Sequence, residues 1–304
     1  MNRPIDLTLH LGAHKTASSH LQRSILEHRE ELIAAEVRAY GPEYLRDRGR
    51  SIPALFGLSP WRGRSVPRRA PLEQLAFLAK DGTRVVLTEE NFLGALINRD
   101  GGLALPLYHD AAERVAALVE ALPGVTIRLF MGIRAPDRFL ESAYSQTLFA
   151  GQFQQPDAFA AAHPVQVVDW LGIFQRLSDI EGLAEITVWR HEDYHLLFSA
   201  IMRRMLRWSM GRQIRPIDET IHAGLSARAL QEVIADAAEG KVGDLAVAAR
   251  RRFPVGPEYP RFSLYSEKER QAAQDDYDRQ VAAIRKLPKV TVLRPKPPED
   301  AAEA

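Results

Sequence analysis

The chain contains no cysteine. Disulfides, thiolate metal centres and cysteine nucleophiles are excluded with it. No apolar run approaches the roughly 18 residues that read as a membrane span, so no integral membrane segment is expected. Neither sign of charge dominates: 40 Lys and Arg against 39 Asp and Glu leave +1. That balance gives no global case for nucleic acid or a membrane surface as partner. The stretch Met1-Asn-Arg-Pro-Ile-Asp6 has no apolar signal core, so a cytoplasmic location is expected. Internal repeats are absent.

What is there is ordinary globular composition: 304 residues, 46% hydrophobic and 26% charged, enough for a large core. Ile5 to Leu11 reads as a buried strand. A long amphipathic helix is expected from about Ser19 to Ala39, on the spacing of Leu21, Ile25, Leu32 and Ile33. Gly41-Pro42 ends it. Residues 46 to 71, rich in Arg, Gly, Ser and Pro, read as an irregular excursion. A helix over Leu72 to Lys80 and a strand over Arg84 to Thr88 follow, the strand ending at Glu89-Glu90-Asn91. Ala111 to Leu122 reads as helix and Val125 to Ile133 as strand. Pro136 opens the next helix. Val165 to Leu177 is expected helical and Ile186 to Trp189 a fourth strand. His191-Glu-Asp193 caps a helix running to about Met210. The rest is mainly helical, with a disordered tail over 291–304.

Strands alternating with helices imply an α/β fold with a central parallel sheet covered on both faces, over one domain spanning 1–290. Ligands of such sheets collect beyond the carboxyl ends of the strands. Lys15, Glu89/Glu90 and Arg134 each follow an expected strand and should converge on that edge.

The segment Leu9-His-Leu-Gly12-Ala-His-Lys15-Thr-Ala-Ser-Ser19 is strand, Gly-and-Lys turn, then helix start. Backbone N–H groups and the helix dipole favour an anion there, and Lys15 adds a point charge. The spacing departs from the Gly-x-x-x-x-Gly-Lys-Ser/Thr loop of nucleoside triphosphatases, which weakens a kinase reading. Arg134, at a strand end, and Ser142, two turns into the following helix, form a second group of anion donors. Two such sites imply a ligand phosphorylated at two separated positions.

His10-Leu-Gly-Ala-His-Lys15-Thr-Ala-Ser-Ser-His-Leu-Gln22 resembles the 5'-phosphosulfate loop of the PAPS-dependent sulfotransferases, as bacterial members carry it. Arg134 to Ser142 resembles their 3'-phosphate motif, and Thr88-Glu-Glu90-Asn-Phe92 their Ser-x-Glu-Asn-Phe strand end. Ile186 to Asp193 and Gly224 to Leu230 resemble later segments of the family, so the likeness covers most of residues 5 to 230 in order. Ala17 stands where the family has glycine, and Ser18 and Ser19 where it has threonines.

The resemblance implies a three-layer P-loop-like fold with a helical C-terminal half. It implies transfer of a sulfuryl group from 3'-phosphoadenosine 5'-phosphosulfate (PAPS) to an acceptor hydroxyl of a small molecule, saccharide or glycolipid. Gly12, Ala13, His14, Lys15, Thr16, Ala17, Ser18, Ser19, Arg134 and Ser142 are the expected PAPS-binding residues. Lys15 is expected to stabilise the leaving phosphate and Glu90, rather than Glu89, to act as base; a histidine base stays open. Such transfer needs no metal, and His10, His14, His191 and His195 lack a metal-site pattern. Trp61, Arg62, Arg64 and Arg68 are candidates for the acceptor pocket. The competing readings are a nucleotide-binding module without catalysis and a small-molecule kinase.

Overall fold

The computed structural model describes residues 4–98, 100–218 and 224–295. Six strands form its sheet: β1 (Asp6–His10), β2 (Val37–Tyr40), β3 (Arg84–Thr88), β4 (Ile127–Ile133), β5 (Leu183–Arg190) and β6 (Val290–Val292). Their order is β2-β3-β1-β4-β5-β6, and every neighbouring pair is parallel. Strand alternation sends successive side chains to opposite faces. Leu7, Leu9, Val85, Leu87, Leu129 and Met131 enter one aliphatic core. Val86, Phe130 and Trp189 enter the other. Helices Pro71–Ala79, Ala111–Ala121, Pro136–Phe149 and Trp170–Ser178 cover the first face; Ser18–Leu26 and Tyr194–Met205 cover the second. The α/β architecture with a covered parallel sheet is therefore observed.

The second face also buries polar groups, each of which needs a partner. His10 Nδ1 and Thr88 Oγ1 lie 2.7 Å apart. The Thr8 hydroxyl donates to the Met205 carbonyl at 3.4 Å.

Several expected elements differ. The single helix from Ser19 to Ala39 is two helices, Ser18–Leu26 and Arg29–Ala34, followed by β2. Ile33, counted on its apolar stripe, is 46% exposed. Glu36 takes φ +59° and turns the chain, after which Val37 to Tyr40 pair with β3. Val165 to Leu177 opens as a single 3₁₀ turn before the helix Trp170–Ser178, capped by Asp169, which accepts from the Gly172 N–H at 2.8 Å. The helix expected to reach Met210 stops at Met205 and resumes over Trp208–Gly211. The tail expected from 291 begins as strand: Thr291 and Val292 pair with Thr187 and Val188. Residues 296–304 lie outside the described residues.

In chain order the sheet grows from β1 outward to β2, returns with β3 between them, then continues with β4 on the other side of β1. The carboxyl ends of β3, β1 and β4 thus flank the point where strand order reverses, the place where open parallel sheets bind ligands.

Candidate functional site

A cavity of about 910 Å³ opens there. Its wall brings together His14, Lys15, Ala17, Ser18, Ser19, Glu90, Arg134 and Ser142 from the sequence-derived set. Gly12, Ala13 and Thr16 do not line it; they build the loop from behind. The Ala13 N–H donates to the Gly132 carbonyl of β4 at 3.2 Å. The Thr16 hydroxyl donates to the Ala13 carbonyl at 2.6 Å, closing the turn. A Cβ on Gly12 would meet Ser18 Oγ at 2.6 Å and His10 Nε2 at 2.7 Å, so only glycine lets the loop fold this tightly. Lys15 and Ala17 take φ +67° and +68°, the left-handed region that L-residues disfavour. Ala17 precedes the helix Ser18–Leu26 without a side-chain cap. Ser18 Oγ is buried and has no hydrogen-bond partner among the described residues.

Arg134 follows β4 and donates through Nη1 to the Lys15 carbonyl at 3.0 Å. The loop after β1 and the end of β4 are thereby bonded to each other, with both cationic residues on one cavity. Arg134 Nε is buried and without a partner among the described residues. Burial pulls the Lys15 ammonium down to about 8, with the Arg134 charge adding to it and Glu90 opposing. Glu192 fixes the neighbouring backbone: its Oε1 accepts from the Ala135 N–H at 2.9 Å. This carboxylate does more than start the helix that follows β5.

The carboxylate side is organised by a residue missed in the sequence, Arg46. It donates through Nε to Glu89 Oε2 at 2.9 Å. Its Nη2 donates to Glu89 Oε1 at 3.0 Å and to Glu90 Oε1 at 2.6 Å. Gln22 Nε2 donates to Glu90 Oε2 at 3.2 Å. Glu90 lines the cavity and Glu89 does not. Burial pushes the Glu90 carboxyl up, but backbone hydrogen bonding and then the Arg46 charge outweigh it and leave it below its ordinary value.

Tyr108 was also missed. Its oxygen accepts from the His14 backbone N–H at 3.0 Å and lies 3.0 Å from His14 Nδ1. Burial keeps the Tyr108 phenol protonated far above its ordinary range, so its O–H donates to Nδ1. His14 Nε2–H then donates to Asn91 Oδ1 at 3.1 Å. Both imidazole nitrogens are occupied, and burial holds the ring neutral. Among the described residues, Arg138, Arg250 and Arg261 bring the lining cations to six, against three carboxylates. Arg250 comes from the run Arg250-Arg251-Arg252 that ends the helix Leu245–Arg252. His191, after β5, also lines the cavity; burial first, then Arg134, lowers its imidazole to about 4.

The segment from Trp61 to Arg69 does not reach the cavity. Trp61 donates to Asp110 Oδ2 at 3.2 Å, and Arg69 lies 3.7 Å over the Phe77 ring. Among the described residues no group of His, Asp and Glu is arranged to hold a metal ion, and no helix is long and apolar enough to cross a membrane.

The cavity therefore joins a cation-rich rim with unpartnered donors to a carboxylate whose position is braced, in an α/β protein with this cleft at its strand ends. No protein-family model matches the chain, and a search of curated proteins finds no match.

Proposed function

We propose that this chain is a PAPS-dependent sulfotransferase of P-loop-like fold. The observation that carries the reading is the bonded pair of anion donors: Lys15 on the loop after β1 and Arg134 at the end of β4, joined at 3.0 Å through the Lys15 carbonyl. Unpartnered Ser18 Oγ and Arg134 Nε on either side fit a ligand with two anionic groups. A strand running through a turn into a helix N-terminus is also the phosphate-loop arrangement. The strand order departs from the 3-2-1-4-5-6 order of dinucleotide-binding folds.

When bound, PAPS supplies the sulfuryl group and departs as its 3',5'-bisphosphate, PAP. Ser18, Ser19 and the loop N–H groups hold the 5'-phosphate. Thr16 contributes only through its backbone, since its hydroxyl is committed to Ala13. Arg134 and Ser142 hold the 3'-phosphate. The Lys15 ammonium neutralises charge growing on the leaving phosphate oxygen. Glu90 takes the proton of the acceptor hydroxyl as its oxygen attacks sulfur. His14 has no free ring nitrogen to do so, which favours the carboxylate as base.

The test is a melting experiment on the full chain. PAP at a hundredfold excess over its Kd stabilises by about 2.7 kcal/mol. PAP raises Tm by several degrees, ATP does not, and Lys15→Ala and Arg134→Ala lose the shift. A shift with ATP and none with PAP assigns the cleft to a nucleotide kinase instead.

A further inference from the structure

Arg46 has no counterpart in any motif quoted above, yet it makes three charged hydrogen bonds at the cavity. Its own side chain is 48% exposed, while the Glu89 side chain beneath it is 5% exposed. The buried carboxylate of Glu89 is further fixed by the Asn91 backbone N–H, which donates to its Oε1 at 3.0 Å. Glu89 thus anchors the planar fork of Arg46 in two-point geometry. The same Nη2 that closes the fork reaches Glu90 Oε1, and Gln22 holds the other Glu90 oxygen. A lysine, with one point charge on a flexible stem, cannot hold that fork and Glu90 in one geometry.

We propose that Arg46 is a positioning residue, anchored on Glu89, which holds the Glu90 carboxylate ionised and aimed into the cavity. The part of this that concerns proton transfer rests on the sulfotransferase reading; the part that concerns Glu90 does not. The charged and titratable groups facing Glu90 are Arg46, Glu89, His14, Lys15, His10 and Tyr108. His10 and His14 are held neutral by burial, and Tyr108 is protonated. Arg46 is the cation hydrogen-bonded to the Glu90 carboxylate, and removing it leaves the Glu89 charge uncompensated beside it.

The experiment is a carbon-13 NMR titration of Glu90 in the full chain labelled at glutamate carboxyls, assigned with Glu90→Gln. In Arg46→Gln the Glu90 midpoint moves up by about 1 pH unit or more, the size expected for loss of an adjacent opposite charge. In Arg46→Lys, which retains a charge and serves if the glutamine variant does not fold, the midpoint rises less. There the release of sulfate from PAPS to water slows at least tenfold with KM unchanged. PAP melting shifts are run alongside. A Glu90 midpoint unmoved in both variants overturns the proposal even where PAP still binds. A moved midpoint without any PAP shift retains the Arg46 role and removes the sulfotransferase reading.

Discussion

The rim that carries Lys15 and Arg134 and the lip that carries Glu90 belong to one cavity, but they treat their polar groups differently. On the lip, Glu89 and Glu90 have bonded oxygens throughout, and both nitrogens of His14 have partners. On the rim, Ser18 Oγ and Arg134 Nε have none among the described residues. A buried donor left alone costs about 1–3 kcal/mol, which a native fold tolerates where a ligand completes the bonding. The rim therefore keeps donors open toward the cavity, whereas the carboxylate oxygens of the lip are all bonded within the chain. On the sulfotransferase reading proposed above, the contrast separates binding from chemistry: affinity for the donor would belong to the rim, and proton transfer to the lip.

The strongest way to break this division is a pair of variants. Glu90→Gln removes the base and is expected to lower sulfuryl transfer by about 10²–10⁴-fold, with the PAP melting shift unchanged. Arg134→Ala is expected to weaken PAP by about 1.5–3 kcal/mol, the range for a hydrogen bond to a charged group. Calorimetric titration with PAP and a transfer assay on both proteins check this. Loss of PAP binding in Glu90→Gln would mean that the lip and rim act as one unit.

Proton linkage sharpens the same contrast at smaller amplitude. Lys15 is pulled down to about 8 by burial and by Arg134. Its charged form is present below that pH and is lost above it. A bound dianion favours the ammonium, so binding above pH 8 takes up a proton. PAP affinity is expected to fall by up to about tenfold per pH unit above that point. Calorimetry in two buffers of different ionisation enthalpy measures the uptake. Lys15→Arg, always charged, removes the dependence. The depressed Glu90 carboxyl titrates in the acid range and leaves this limb untouched.

Legibility in the sequence follows the same line. The rim was readable because its residues sit in two short segments beside strands dominated by apolar residues, Leu7 to Leu11 and Ile127 to Ile133. Central parallel strands announce themselves this way. Edge strands do not: β2 followed residues with helical spacing, and β6 is three residues long. The lip was half legible. Glu90 was found from its strand end, but Arg46 stands in Arg46-Asp-Arg-Gly-Arg50, where it cannot be told from a solvated arginine. Tyr108 comes from a loop 94 residues from His14, and no local pattern ties the two. Conversely, the arginines between Trp61 and Arg69 were conspicuous by density, yet they lie off the cavity.

The smallest effect concerns the backbone of the rim alone. Ala17 sits at φ 68° and ψ 22°, a conformation that costs an L-residue about 1–2 kcal/mol. Glycine removes that cost but loses about 0.5–1 kcal/mol through its freer unfolded chain. Ala17→Gly is therefore expected to stabilise by about 0.5–1 kcal/mol in urea unfolding, the difference of those two terms. The Glu90 titration should be unchanged, since the hydrogen bonds that hold Glu90 come from Arg46 and Gln22, whereas Ala17 packs against the second core. PAP affinity should fall slightly, because a glycine loop has more conformations to give up on binding. Such a result would mean that alanine at 17 keeps the loop poised for its anion at the expense of the fold's stability. A loss of stability would instead show that the Ala17 methyl packs well enough to outweigh the strain, and that the rim is held in place by side-chain contacts.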